Sequence, residues 1–129
     1  MVTNRSAGTL ATAARALLVL VQAPRGMATS AEVANTIGSH PVVVRRILGS
    51  LRWTGFVESR SGPGGGWAIA KDPATIHLGE VYRAMFGIAE PAASALDELM
   101  TAAEATYVEH LSSVTLADLA RQIPSRHDS

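Results

Sequence analysis

The stretch from Thr29 to Lys71 constrains this chain most, because it carries two short helical runs, a glycine-bounded turn and a glycine-rich hairpin in that order. Two short helices crossing at a fixed angle through a tight turn make a helix-turn-helix. Thr29 with Glu32 forms a T-x-x-E capping box, and Val33, Ala34 and Ile37 fall on one face of the helix it opens. Gly38 ends that helix, being free to take a left-handed conformation. Pro41 suits the first turn of a second helix that runs to about Trp53, with Val44, Ile47, Leu48 and Leu51 as its core face.

The opposite face of the second helix gathers His40, Val42, Arg45, Arg46 and Gly49, with Arg52 one turn further on. Such a face can be a merely solvated surface or one shaped for a duplex groove. Val42 suits a thymine methyl, the arginines suit guanine edges or phosphates, and Gly49 permits close approach. A small Ala34, Gly38 four residues later, and Val44 and Ile47 six and nine beyond that glycine coincide here, which favours the groove. Ser30 and Ser39, at the start of the first helix and in the turn, complete the candidate contacts on this part of the chain.

After Gly55, the segments Phe56–Arg60 and Trp67–Ala70 flank the run Ser61-Gly62-Pro63-Gly64-Gly65-Gly66. Two short alternating segments about a glycine-rich tip predict a β-hairpin wing, with Arg60, Ser61 and Gly64 as its candidate DNA contacts. A glycine tip can press its backbone onto a phosphate or enter a minor groove. A nucleotide-phosphate loop is excluded, since no Lys-Ser or Lys-Thr pair follows and the next element is a strand.

Net charge is zero over 129 residues, but the two halves differ. Residues 1–72 hold eight Lys or Arg against three acids, and residues 73–129 hold three against eight, so +5 faces −5. The basic half is the one with the helix-turn-helix, as phosphate recognition requires. At 47% apolar the chain is long enough for one buried core. Thr9–Ala23 predicts a first core helix, through Leu10, Ala14, Leu17 and Val21, after a loose Val2–Ser6. Pro24 argues against a signal-peptide cleavage there, and the apolar run is too short to span a bilayer, so a cytoplasmic location without membrane contact is expected.

Asp72-Pro73 breaks the second wing strand, and Ile76–Phe86 predicts a helix followed by a short Gly87–Pro91 connection. In the next helix, Ala92 to about Leu111, the residues Leu96, Met100, Ala103, Tyr107 and Leu111 form a stripe, with Asp97, Glu98, Glu104 and Glu109 largely outside it. Periodicity alone fits equally a helix covering its own core and one pairing with a second copy. Specific DNA binding needs two half-sites, which favours a homodimer. Thr115 with Asp118 opens a closing helix through Leu116, Leu119, Ala120 and Ile123, and residues 125–129 are expected to be disordered.

The run Arg60–Trp67, followed by Ile69-Ala70-Lys71-Asp72-Pro73 and preceded by the helix pair, resembles the Rrf-two-type bacterial transcriptional regulators, the family of IscR and NsrR. The helix around Ile76–Ala84 resembles that family's post-wing helix, and the likeness spans roughly Gly8 to Ile123. It implies a mainly α fold with a small β wing: a winged helix-turn-helix at 1–87 and, at 88–129, a long C-terminal dimerisation helix with a short closing helix. It also implies a homodimer on double-stranded DNA, with the second helix in the major groove and the wing at the minor groove. Two departures stand out. Cluster-bearing members use cysteines after the wing, and this chain has none, so cysteine-ligated clusters and thiol sensing are excluded and no cofactor is expected. The family's arginine immediately before Gly-Pro-Gly-Gly-Gly is Ser61 here; Arg60 lies one residue earlier, and strand neighbours face opposite ways, which leaves its substitution for that contact open.

No catalytic constellation is present: His40, His77, His110 and His127 lack metal-ligand spacing, and no enzyme is expected. The expected function is a sequence-specific transcriptional regulator, a repressor, on a palindromic operator. Its rival is a winged helix that binds protein instead of DNA. A small-molecule effector near Trp53, Tyr82 or Tyr107 is a further possibility that no motif supports.

Overall fold

The computed structural model describes residues 4–87 and 94–122, with side chains from residue 8 onward. Its elements are α1 (Asn4–Val21), α2 (Ser30–Ile37), α3 (Pro41–Trp53), β1 (Val57–Arg60), β2 (Gly66–Ile69), a 3-10 turn (Pro73–Thr75), α4 (Leu78–Phe86), α5 (Ala95–Ser112) and α6 (Leu116–Gln122). The fold is mainly helical with a two-stranded wing, as the sequence predicts.

Helix α1 is the hub. Its Leu10, Ala13, Ala16, Leu17 and Leu20 are buried, and it packs against α2, α3, α4, α6 and β2. Alanines at two of those positions let neighbouring helices approach while the leucines fill the space between them. The helix starts at Asn4, five residues before the expected Thr9, so the expected loose segment through Ser6 is helical from Asn4.

Local chemistry sets the ends of α2 and α3. The Thr29 hydroxyl accepts from the Glu32 N–H and the Glu32 carboxylate accepts from the Thr29 N–H, each at 3.1 Å, completing the capping box. Gly38 takes φ 72°, ψ 36°, and closes α2 by donating to the Ala34 carbonyl. Helix α3 ends in a Schellman arrangement: Gly55 at φ 88° donates to Arg52 O at 3.0 Å and Phe56 to Leu51 O at 2.9 Å. That turn buries Phe56 and aims the chain into β1.

The wing pairs Val57 with Ile69 through to Arg60 with Gly66, antiparallel. A reciprocal backbone pair between Ala28 and Trp67, at 3.0 and 2.8 Å, stitches β2 to the segment entering α2. The wing is therefore fixed to the helix-turn-helix and does not hang free of it. Gly66 makes this possible, since a Cβ there would stand 2.7 Å from the Ala28 carbonyl oxygen.

The C-terminal helices close over the same core. Ile76 O accepts from Leu116 N at 2.8 Å and Val114 O from Leu78 N at 3.0 Å, which pins the entries of α4 and α6 together. Thr115 and Asp118 exchange hydrogen bonds as the predicted cap of α6. Helix α4 crosses α5 closely at Gly79, where a Cβ would collide with Ser112 Oγ and lie 2.8 Å from the Val108 carbonyl oxygen. The expected connection after Gly87, Ile123 of the closing helix and the expected disorder at 125–129 lie outside the described residues.

One assignment along α5 is corrected. Glu104, read from the sequence as lying largely outside the apolar stripe, is only 5% exposed. Its carboxylate accepts the Tyr82 hydroxyl at 2.7 Å and lies 3.7 Å from the Arg83 guanidinium. The pairing resolves the burial cost that a lone carboxylate carries. Tyr107 and Leu111 pack against the protein's own core, while Leu96 stands 66% exposed at the other end of the helix. The stripe thus divides between a core-covering end and an open end.

Candidate nucleic-acid interface

Helix α3 presents its polar face because its apolar face is spent: Val44, Ile47, Leu48 and Leu51 are all buried. On the other side Val42 is 48% exposed, and Arg45 and Arg46 are exposed as well. Among the described residues neither arginine meets a carboxylate. Two adjacent guanidinium groups left open to solvent are five-donor forks available to phosphate or guanine. A Cβ on Gly49 would meet nothing within 4 Å, so the packing of the subunit does not require glycine there.

His40 is the N-cap of α3; its Nδ1 accepts from the Val42 N–H at 3.1 Å. The histidine thus sets the entry of the helix whose first turn faces outward, a role the sequence reading did not assign. Ser39 is half-buried in the turn, with its N–H on the Ala34 carbonyl. Ser30 accepts from Trp67 Nε1 at 2.8 Å, which couples the first turn of α2 to the wing and leaves the hydroxyl's own proton to donate. No spacing rule points to that contact, since its partners are 37 residues apart.

Arg52 turns toward the wing, donating to Ser59 Oγ at 3.0 Å. It ties the end of α3 to β1. Arg60 pairs with Glu58 at 3.3 Å on the exposed strand face, both side chains half or more in solvent. An exposed pair of this kind contributes about 0–1 kcal/mol and yields easily to a phosphate. Ser61 and Gly64 are exposed at the tip, where Gly62 at φ 87° and Gly64 at φ 77° hold a turn that L side chains rarely adopt.

Residues 8–122 match the Rrf2 family, described as iron-dependent transcriptional regulator. The chain belongs to that family. It is 45% identical over 58 residues to YwnA of Bacillus subtilis (strain 168), named as an HTH-type transcriptional regulator; the match covers 44% of this chain and 43% of YwnA, less than half the relative's length. The fold is similar to that of IscR of T. potens, with TM-score 0.73 and 24% identity over 95% of this chain and 87% of that one. It is also similar to CymR, the global cysteine regulator of B. subtilis, with TM-score 0.72 and 23% identity over 96% and 98%. At these identities the two structures show the shared fold, a winged helix of the Rrf2 regulators.

The family's iron dependence does not fit the donor set here. The chain has no cysteine, and among the described residues no three His, Asp or Glu side chains converge on a point that would hold a metal. No helix among the described residues is long and apolar enough to cross a membrane.

The aromatics named as possible neighbours of an effector, Trp53, Tyr82 or Tyr107, differ in their surroundings. Tyr82 is buried and meets Tyr107 edge-on, ring centroids 5.5 Å apart, whereas Trp53 is 90% exposed. An open groove among the described residues runs between the end of α3 and the α4–α5 crossing, lined by Thr54, Phe56, Lys71, Glu80, Arg83 and Val108 among others and by none of these three rings. Burial and the hydrogen bond to Glu104 together push the Tyr82 hydroxyl up to about 12.

Proposed function

We propose that this protein is a sequence-specific DNA-binding regulator that acts as a homodimer, setting two copies of the α3 face into successive major-groove segments of a palindromic operator. One observation carries the reading: Arg45 and Arg46 stand in solvent on the face of α3 opposite its buried side, without a carboxylate partner among the described residues. Val42, Ser39, His40 and Ser30 border that face. Arg52, Arg60, Ser61 and Gly64 carry it onto the wing, which would lie along the adjacent minor groove.

In this reading residues 1–87 supply the DNA contacts and residues 88–129 supply the pairing. The open end of α5 supports it: Leu96 and Leu99 are 66% and 64% exposed, with Met100 and Ala103 on adjoining positions. Tyr107 and Leu111, already against the core, would border the pairing surface rather than centre it. Leu99 falls outside the stripe read from the sequence, although it lies one turn from Leu96 and Ala103.

The test is the double variant Arg45→Ala/Arg46→Ala, with operator fragments selected from random duplexes by the purified protein. Loss of a bidentate base contact costs roughly 1–3 kcal/mol for each arginine, and each lost phosphate contact lowers the salt slope by about 0.9. Unchanged operator affinity with an unchanged salt slope would remove the assignment. A protein-binding winged helix predicts no affinity for random duplex at low salt, so the same titration separates the two.

A further inference from the structure

We propose that Trp53 is a DNA-contacting residue, its indole lying on the sugar-phosphate ridge at the far end of α3. The proposal rests on the reading of α3 as the DNA-facing helix. Trp53 is 90% exposed, the most exposed large apolar side chain among the described residues. A ring of this size in water forfeits about 1.5–3 kcal/mol of burial free energy, so its position is informative. At about 100° per residue, Val42, Arg46, Gly49 and Trp53 fall within about 60° of one another on the helix. Trp53 therefore continues the same outward row that the arginine belongs to.

The distance along the axis decides which part of a duplex it meets. Eleven residues at 1.5 Å place Trp53 about 16 Å beyond Val42. The major groove is about 12 Å wide, so for a helix that enters it by its first turn and tilts outward the last residue lies past the groove wall, over the backbone. Its surroundings suit that place. Helix α3 carries Arg45, Arg46 and Arg52 and no acid, and Arg52 links the helix end to Ser59 of the wing. The ring stands in solvent next to Arg52, on a cationic helix complementary to a polyanion. An indole has one N–H donor for a phosphate oxygen and an apolar face for a deoxyribose.

A contact of this kind strengthens binding without carrying charge, which sets it apart from the arginines. Trp53→Ala is expected to weaken binding of a selected operator duplex by about tenfold, with the slope against salt unchanged. Trp53→Phe, which keeps a ring and loses the N–H, should fall between. The chain has only one other tryptophan, Trp67, half-buried with its N–H on Ser30, so emission from the exposed indole reports its environment. Adding duplex should quench or shift that emission, and Trp53→Phe should abolish the change. Thermal melting and sedimentation of Trp53→Ala should match the parent. The proposal is overturned if Trp53→Ala binds duplex as tightly as the parent, or if it dissociates the oligomer, which assigns the ring to a second copy. Should Arg45→Ala/Arg46→Ala lose binding while Trp53→Ala keeps it, this inference fails alone; should neither variant lose binding, the DNA reading fails with it.

Discussion

Replacing Tyr82 by phenylalanine removes one hydroxyl from the joint between α4 and α5 and leaves the ring. The ring contacts to Phe86 at 4.9 Å and Tyr107 at 5.5 Å therefore persist, and the variant isolates the polar link. That link is an O–H donated to a carboxylate at 2.7 Å, between groups 1% and 5% exposed. A buried, charge-assisted hydrogen bond of this length is worth about 1.5–3 kcal/mol. For a chain of this size the loss lowers the melting temperature by roughly 5–10 °C. Melts and urea titrations should be compared at equal protein concentration, because an oligomer's stability depends on it.

Alkaline pH offers a second readout of the same bond. Burial first, and the Glu104 bond second, raise the folded-state pKa of Tyr82 from 10.0 to about 12. A raised pKa means that the stabilisation is complete below pH 10 and is lost as pH climbs toward 12, by about 2–3 kcal/mol in all. Tyr82→Phe has no proton to lose and should lack that component of the alkaline slope. A variant within 0.5 kcal/mol of the parent at neutral pH, with the same alkaline slope, would refute the argument.

Three further outcomes follow from the same geometry. Gly79→Ala forces α4 away from Ser112 and the Val108 carbonyl, and should cost about 1–3 kcal/mol in urea unfolding; adding Ser112→Ala recovers only part, since the backbone oxygen remains. The Glu32 carboxylate is held below its usual 4.5 by the Thr29 N–H, then the Thr29 side chain, then Arg25, so its contribution is present above pH 4.5 and fades as pH falls; Glu32→Gln should flatten that part of the acid limb in melts at pH 3–6. Gly66→Ala should push β2 off the Ala28 pair, altering near-ultraviolet dichroism of Trp67 and weakening duplex binding while far-ultraviolet helicity stays the same.

Features written within a few residues of each other were legible from the chain alone. The Thr29–Glu32 box, the left-handed Gly38, the span of α3 from Pro41 to Trp53 and the Thr115–Asp118 cap all depend on neighbours, and each stands where the spacing put it. So does the outward placing of Arg45 and Arg46, because a helix that buries Val44, Ile47, Leu48 and Leu51 must present the other side to water. Contacts between distant residues were not legible. Glu104 looks like one more surface acid until Tyr82 and Arg83, some twenty positions earlier, are brought beside it. Trp53 is as apolar as a core residue, and although the phase of α3 turns it away from Val44, Ile47, Leu48 and Leu51, only the tertiary structure shows that no other element among the described residues covers it, leaving it 90% exposed. The division has a physical cause: capping and helical periodicity are settled by bonds spanning three to five residues, whereas the environment of a side chain depends on which remote surfaces the packing delivers to it.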